Sequence, residues 1–254
     1  MTNNGMEGPD QKAYEQLHRK LEGKGLLFIL LTTVAISIGG LVEIVPMFTA
    51  SYGPEVHAGV TPYTPLEVAG RDIYIREGCY LCHSQWIRPT RAEVLRYGEW
   101  TRAFEYRYDR PFLMGSRRMG PDLQRVGGKY PDGWHYEHMR DPRSTSPGSV
   151  MPPYAWLHDA RVDPADVTAS IRALKKTGIP YDLSEVSEVE ASLQAQAAQV
   201  LTNLAGAGIQ SEWDTEIVAL IAYLQRLGRD GAAVLSEEDA GASSDAGAGD
   251  EGDR

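Results

Sequence analysis

Cys79-Tyr80-Leu81-Cys82-His83 is the stretch of this chain whose residue types and spacing dictate a particular chemistry. A C-x-x-C-H run reads as c-type haem attachment. Two thiols one turn apart can add to the two vinyl groups of one haem edge, and the next residue then presents its imidazole to the iron. Two rivals share part of the pattern, a thioredoxin-like redox pair and half of a zinc site. A redox pair wants a preceding strand, but the residues before Cys79 read as a helix. A zinc site wants two more Cys or His ligands at close spacing, and none is visible. With only these 2 cysteines in the chain, a structural disulfide framework is excluded.

His83 leaves the opposite face of an iron open, and the ligand there sets the function. Met114, Met119, Met139 and Met151 are candidates, with His135, His138 and His158. Met151 is expected to be the ligand, because prolines stiffen its loop, Ser146-Pro147-Gly148-Ser149-Val150-Met151-Pro152-Pro153-Tyr154, on both sides. A weak thioether ligand needs a preorganised loop to hold it in place. His135 or His138, or an open position, remain the alternatives. Pro121, in Gly120-Pro121-Asp122-Leu123, suits a carbonyl that accepts a hydrogen bond from the free ring nitrogen of His83 and so fixes its tautomer; an ordinary turn is the competing reading. Trp134 packs against such a cofactor, bonds a propionate, or is a plain core tryptophan.

The elements that must position these groups are helical. Pro65 to Gly78 reads as a short amphipathic helix ending at the glycine. A polar segment rich in Arg and aromatic residues runs from Trp86 to Arg118, and a Gly/Pro-rich region to Pro153 contains a short helix around Asp132–Arg140. Asp163 is a plausible N-cap before Pro164 in a helix to Lys176. Ser184–Leu204 is helical by propensity, and Asp214–Leu227 carries an apolar stripe closed by Gly228. No strand pattern of comparable strength and no repeat is present. The expected fold is all-α, with long loops.

Gly25 to Phe48 is apolar apart from Glu43. Roughly 20 such residues cross the hydrocarbon core, and a polar segment too long for a signal peptide precedes them, so the run is expected to be an uncleaved anchor. Lys12, Arg19, Lys20 and Lys24 precede it, and no Lys or Arg follows before Arg71. The positive-inside rule keeps the N-terminus cytoplasmic and exports the rest. Ala35 and Gly39 share a face on which another helix can approach. Glu43 is either an interfacial carboxylate or a hydrogen-bond partner for a neighbouring subunit.

Lys+Arg 25 against Asp+Glu 35 gives a net charge of -10, a poor match to nucleic acid. The acidic, Gly/Ala/Ser-rich end reads as a disordered tail. The expected organisation is a cytoplasmic segment 1–24, an anchor 25–48, a linker 49–65, a periplasmic domain 66–229 and the tail 230–254. The Arg/aromatic segment, exported and in an acidic chain, reads as a protein docking surface or as a solvated loop.

Several runs together carry a resemblance. They are Gly40-Leu41-Val42-Glu43-Ile44-Val45-Pro46, Val68 through Gly78, Ser84-Gln85-Trp86-Ile87-Arg88-Pro89, Arg91-Ala92-Glu93-Val94, Pro111-Phe112-Leu113 and Gly115-Ser116-Arg117-Arg118. Gly120 through Leu123, Val126-Gly127-Gly128, Trp134-His135, Met151-Pro152 and Ala219 through Gly228 complete the set. Over most of residues 25–229 the chain resembles the mono-haem cytochrome c subunit (subunit II) of cbb3-type cytochrome c oxidases. The resemblance implies one single-pass inner-membrane helix in the lipid, followed by a periplasmic cytochrome c-like haem domain. In it Cys79 and Cys82 bind one haem c covalently, His83 and Met151 ligate the iron, and Gly70 and Tyr74 on the first helix cross Tyr223 on the last. It further implies an electron relay without a catalytic centre of its own, taking electrons from a di-haem cytochrome c subunit toward the haem–copper subunit that reduces oxygen and pumps protons. The cytochrome subunit of nitric oxide reductase and a free-standing anchored shuttle are the alternatives. The helix around Ser184–Leu204 falls outside the resemblance.

Overall fold

The computed structural model describes residues 19–49 and 57–236. Lys12 and the expected cytoplasmic segment up to residue 18 lie outside the described residues. So do residues 50–56 of the expected linker and 237–254 of the acidic tail. The chain divides into two compact units, residues 1–53 and 54–254.

In the first unit, α1 (Gly25–Thr49) has 25 residues. Its stretch Gly25–Val45 is long and apolar enough to cross a membrane. Leu26, Ile36 and Val42 are exposed along it, as expected of side chains whose solvent is lipid rather than a protein core.

The second unit is all-helical, and among its described residues there is no strand, only one isolated bridge between Arg161 and Thr215. Its first helix, α2 (Pro65–Arg76), starts with proline at the first helical position, and the Glu67 carboxylate accepts the Thr64 N–H at 2.8 Å. The helix it crosses, α7 (Glu216–Arg226), buries Ile217, Val218, Leu220, Ile221 and Leu224. The two helices touch at Gly70, where no side chain holds them apart, and the rings of Tyr74 and Tyr223 meet at 5.4 Å.

Between them run α3 (Arg91–Tyr97), α4 (Asp132–Arg140), α5 (Pro164–Lys176) and α6 (Val186–Gly206). The Asp163 carboxylate caps α5 by accepting the Ala165 N–H at 2.8 Å. Helix α6, the one the resemblance leaves unplaced, sends Val189, Leu193, Ala197, Val200 and Leu204 into the main core. That spacing is one face of a helix, so α6 is a wall of the domain.

Two expectations need correction. The Arg/aromatic segment is not a solvated loop: Ile87, Phe104, Tyr106 and Leu113 are buried in it. Arg118 is only 22% exposed and pairs with Glu93, whereas Arg88, 57% exposed, meets the same carboxylate from the solvent side and Arg102 lies beside Glu99 and over the Trp100 ring. The expected tail boundary at residue 230 is too early. Residues 229–236 are helical, Arg226 pairs with Asp230, and Val234 is buried against Val60 and Phe104. Apolar Ala232, Ala233, Val234 and Leu235 make that turn worth burying before the acidic composition takes over.

Candidate functional site

Helix α2 ends at Arg76, and Gly78 takes φ 70°, in the left-handed region. Glycine adopts that conformation without steric cost, which lets the chain reverse at once into a single 3₁₀ turn, Cys79–Leu81. His83 N–H then donates to Cys79 O at 2.9 Å and Cys82 N–H to the same oxygen at 3.2 Å. Both thiols are free. Burial, with the charge of Glu77 behind it, pushes the Cys79 thiol up to about 12. A redox nucleophile wants the opposite, a thiol lowered by its surroundings. The zinc reading finds no support either, since no three His, Cys, Asp or Glu side chains gather as a metal set among the described residues.

The His83 ring lies on Gly120, where a Cβ would stand 2.2 Å from Cε1. Its Nδ1 is 2.9 Å from the Pro121 carbonyl oxygen. A carbonyl only accepts, so Nδ1 carries the proton and donates, leaving the Nε2 lone pair available. Burial lowers the proton affinity of this imidazole, opposed by the Pro121 carbonyl and the Asp122 charge. The loop is tied to the motif by Gly120 N–H donating to Cys82 O at 3.1 Å and Leu123 N–H to Ser84 O at 2.8 Å.

Met151 is half-buried and belongs to the same apolar cluster as Cys79, Tyr80, Leu123 and Tyr154. Tyr154 N–H donates to Met139 O at 2.7 Å, tying this proline-bracketed loop to α4. The Tyr154 phenol is raised by burial first and then by the charges of Cys79, Cys82 and Glu77. Tyr154 carried no signal in the sequence beyond its place after Pro152-Pro153.

The other candidates are placed differently. Met119 is exposed, with its sulfur 3.9 Å from Cys82 Sγ, and Met139 is buried on α4. His158 has both ring nitrogens occupied, on Ala155 O and Tyr136 O at 3.0 Å each. His138 Nδ1 meets Thr145 Oγ1 at 2.6 Å, and its proton affinity is lowered by burial and then by the charge of His83. Trp134 is stacked between Tyr130, at 4.0 Å and 14°, and His138, at 4.4 Å and 12°. Trp134 and His138, four residues apart, share one face of α4, and Tyr130 stacks on Trp134 from the segment before that helix. Trp134 is thus the middle ring of a three-ring stack.

These residues fit a c-type haem. Gly120 is a cradle that any side chain would fill, His83 has its outer nitrogen held and its inner one free, and two unpaired thiols stand one turn apart. The buried His135 Nε2 finds no hydrogen-bond partner among the described residues.

Among protein families, the model described as cytochrome c oxidase, mono-heme subunit/FixO, matches residues 18–230. No curated protein matches the chain. The family match takes in the apolar helix α1, the C-x-x-C-H turn, the Arg/aromatic segment, α6 and the closing helix α7. This chain belongs to the family of mono-heme cytochrome c oxidase subunits.

Proposed function

We propose that the chain is the one-electron relay of a cbb3-type oxidase, receiving electrons from a di-haem cytochrome c subunit and passing them to the haem–copper subunit. The observation that carries this reading is the 2.9 Å contact between His83 Nδ1 and Pro121 O beside two free thiols. A haem c held there supplies a one-electron iron couple.

The protein's part is attachment, orientation and exclusion of water. Cys79 and Cys82 would hold the group through two thioether bonds. His83 would supply Nε2 to the iron while Pro121 keeps its ring in one tautomer and one orientation. Met151 would supply a thioether to the iron, on a loop that Pro147, Pro152 and Pro153 stiffen. Tyr154, Leu123 and Tyr80 keep the surroundings apolar, and Trp134 packs alongside through its ring stack. None of these groups exchanges a proton in the relay, so the chain itself needs no catalytic residue.

The flanking cations of α1 support an N-terminus in the cytoplasm and a haem domain in the periplasm. The organisation that follows is a cytoplasmic segment, a lipid-embedded anchor, a short linker and a haem domain extending to residue 236.

The test is ligation. The wild-type chain, expressed with haem maturation, is expected to retain haem after denaturation and to show the far-red sulfur-to-iron band of His/Met haems. Met151→Ala should keep the haem and lose the band, with a lower potential. Persistence of the band in Met151→Ala, with its loss in Met119→Ala, would reject the assignment.

A further inference from the structure

We propose that Asp122 is a positioning residue for His83: its carboxylate clamps the two chain segments that meet at the His83–Pro121 hydrogen bond and, together with Arg118, sets the charge felt by the imidazole. This rests on the reading of His83 as a haem ligand and deepens it.

Asp122 directly follows Pro121, and Ser84 directly follows His83. The Asp122 side chain is 0% exposed. Its Oδ2 accepts the Ser84 hydroxyl at 2.6 Å and the Trp86 N–H at 2.9 Å, and its Oδ1 accepts the Gln124 N–H at 2.8 Å. One carboxylate is therefore bonded just beyond each member of the His83–Pro121 pair. Neither segment can slide without breaking a charge-assisted bond, the stronger kind. Indirect partners of this sort orient a metal ligand as firmly as direct ones.

A buried carboxylate is costly unless paired, and the pair is Arg118. Its guanidinium lies 3.4 Å from Asp122 Oδ2, and its Nε donates to Ser84 Oγ at 2.8 Å. The same group reaches Trp86 O at 2.6 Å and Glu93 Oε2 at 2.7 Å. Arg118 is 22% exposed, so the cluster seals the seam between the motif and the solvent. A loop that only had to turn could do so with a neutral side chain. The buried charge adds a field on the His83 side of that seam, since Asp122 is bonded to the hydroxyl of the residue next to His83.

The signs of two substitutions follow. When the iron gains one electron from an external reductant, ferric becomes ferrous and one positive charge disappears from the site. A nearby carboxylate stabilises the ferric form, so Asp122→Asn raises the midpoint potential. Arg118→Gln uncovers the carboxylates and lowers it. Ser84→Ala keeps both charges but loosens the clamp, which speeds exchange of the His83 ring N–H proton.

The experiment is a spectroscopic redox titration of the full-length, haem-loaded chain in detergent, with haem content and the exchange of that proton measured alongside. Outer partners of metal ligands typically matter by 10–100-fold, so the expected change for Asp122→Asn is on the order of tenfold in the ferric/ferrous equilibrium constant, about 59 mV upward. Arg118→Gln is expected to shift it the other way. Equal potentials, or shifts of the same sign in both charge variants with haem still bound, overturn the proposal. If Asp122→Asn takes up no haem, Arg118→Gln and Ser84→Ala decide: an unchanged potential in the first and unchanged exchange in the second also overturn it. A wild-type chain without covalent haem would instead reject the underlying reading of the C-x-x-C-H turn.

Discussion

A methyl group added at Gly70 would stand 2.0 Å from the carbonyl oxygen of Ala219 and 2.7 Å from Tyr223 Cβ. The crossing of α2 and α7 is therefore set by the absence of one side chain. Behind it pack Tyr74 and Tyr223, whose hydroxyl accepts the Gln85 side-chain amide at 3.0 Å. Gln85 lies two residues beyond His83, so the helix crossing and the site share one buried seam.

Gly70→Ala tests the crossing. In an exposed helix interior alanine is favoured over glycine by about 1 kcal/mol. Here the clash is with backbone, which no rotamer relieves, and overpacking of this kind costs about 1–3 kcal/mol. A net destabilisation of about 1 kcal/mol is expected, with α2 pushed off α7. Denaturant midpoints of the two chains measure it, and an equal or higher midpoint for Gly70→Ala would contradict the close approach.

What was legible in the sequence is what depends on near neighbours. The Asp163-Pro164 start of α5, the stripe of α7 and the glycine after α2 are local patterns, and the structure follows them within a residue or two. The His83–Pro121 contact, 38 residues apart, was open to inference only because a proline in a Gly-Pro-Asp-Leu turn holds its carbonyl still enough to accept from a ligand histidine. The Arg/aromatic segment was not legible in this way. Its arginines read as surface groups because pairing across a folded loop leaves no local pattern: Glu93, the partner of Arg118, sits 25 residues before it. Composition alone cannot separate an arginine paired inward from one turned toward a partner. The helical turn at 229–236 was missed for a related reason. Val234 finds its burial against Val60 and Phe104, which are remote in sequence.

His135 makes stability depend on pH. It is almost fully buried, and burial lowers its pKa to about 4 from about 6.5 in an unfolded chain. Between those values the unfolded chain binds a proton that the folded chain refuses, so stability rises with pH. The contribution is present in full above about 6.5 and is lost as pH falls toward 4. The loss is roughly 3 kcal/mol at one pKa unit per 1.36 kcal/mol. Unfolding titrations across this window should show that slope in the wild type and a flatter one in His135→Phe. Parallel slopes would mean that the His135 imidazole is not held neutral by burial.

Protease protection tests the orientation. With Arg19, Lys20 and Lys24 before α1 and no cation after it until Arg71, the N-terminus is expected to stay in the cytoplasm. Protease added to spheroplasts should digest the haem domain and leave an N-terminal tag intact. A tag that is cleaved while the haem domain survives would reverse the topology.

The face of α1 that carries Ala35 and Gly39 bears on whether this chain is a permanent subunit. A lone helix needs no close-packing face, since lipid tails contact apolar side chains as well as another helix does. Small residues four apart matter when a second backbone must come near. Among the described residues nothing lies within 4 Å of a Cβ built at Gly39, so a larger residue can start from that face without a clash at its first carbon. A double substitution, Ala35→Leu with Gly39→Leu, should therefore leave expression and haem content unchanged. Any defect then reports on the neighbour. The expected defect is weaker co-purification with the haem–copper subunit after mild detergent extraction, and oxygen consumption reduced in proportion to the subunit lost. Full assembly of the double variant would place the partner helix on another face of α1. A wild-type chain that purified alone under the same conditions would favour the anchored shuttle over the permanent subunit.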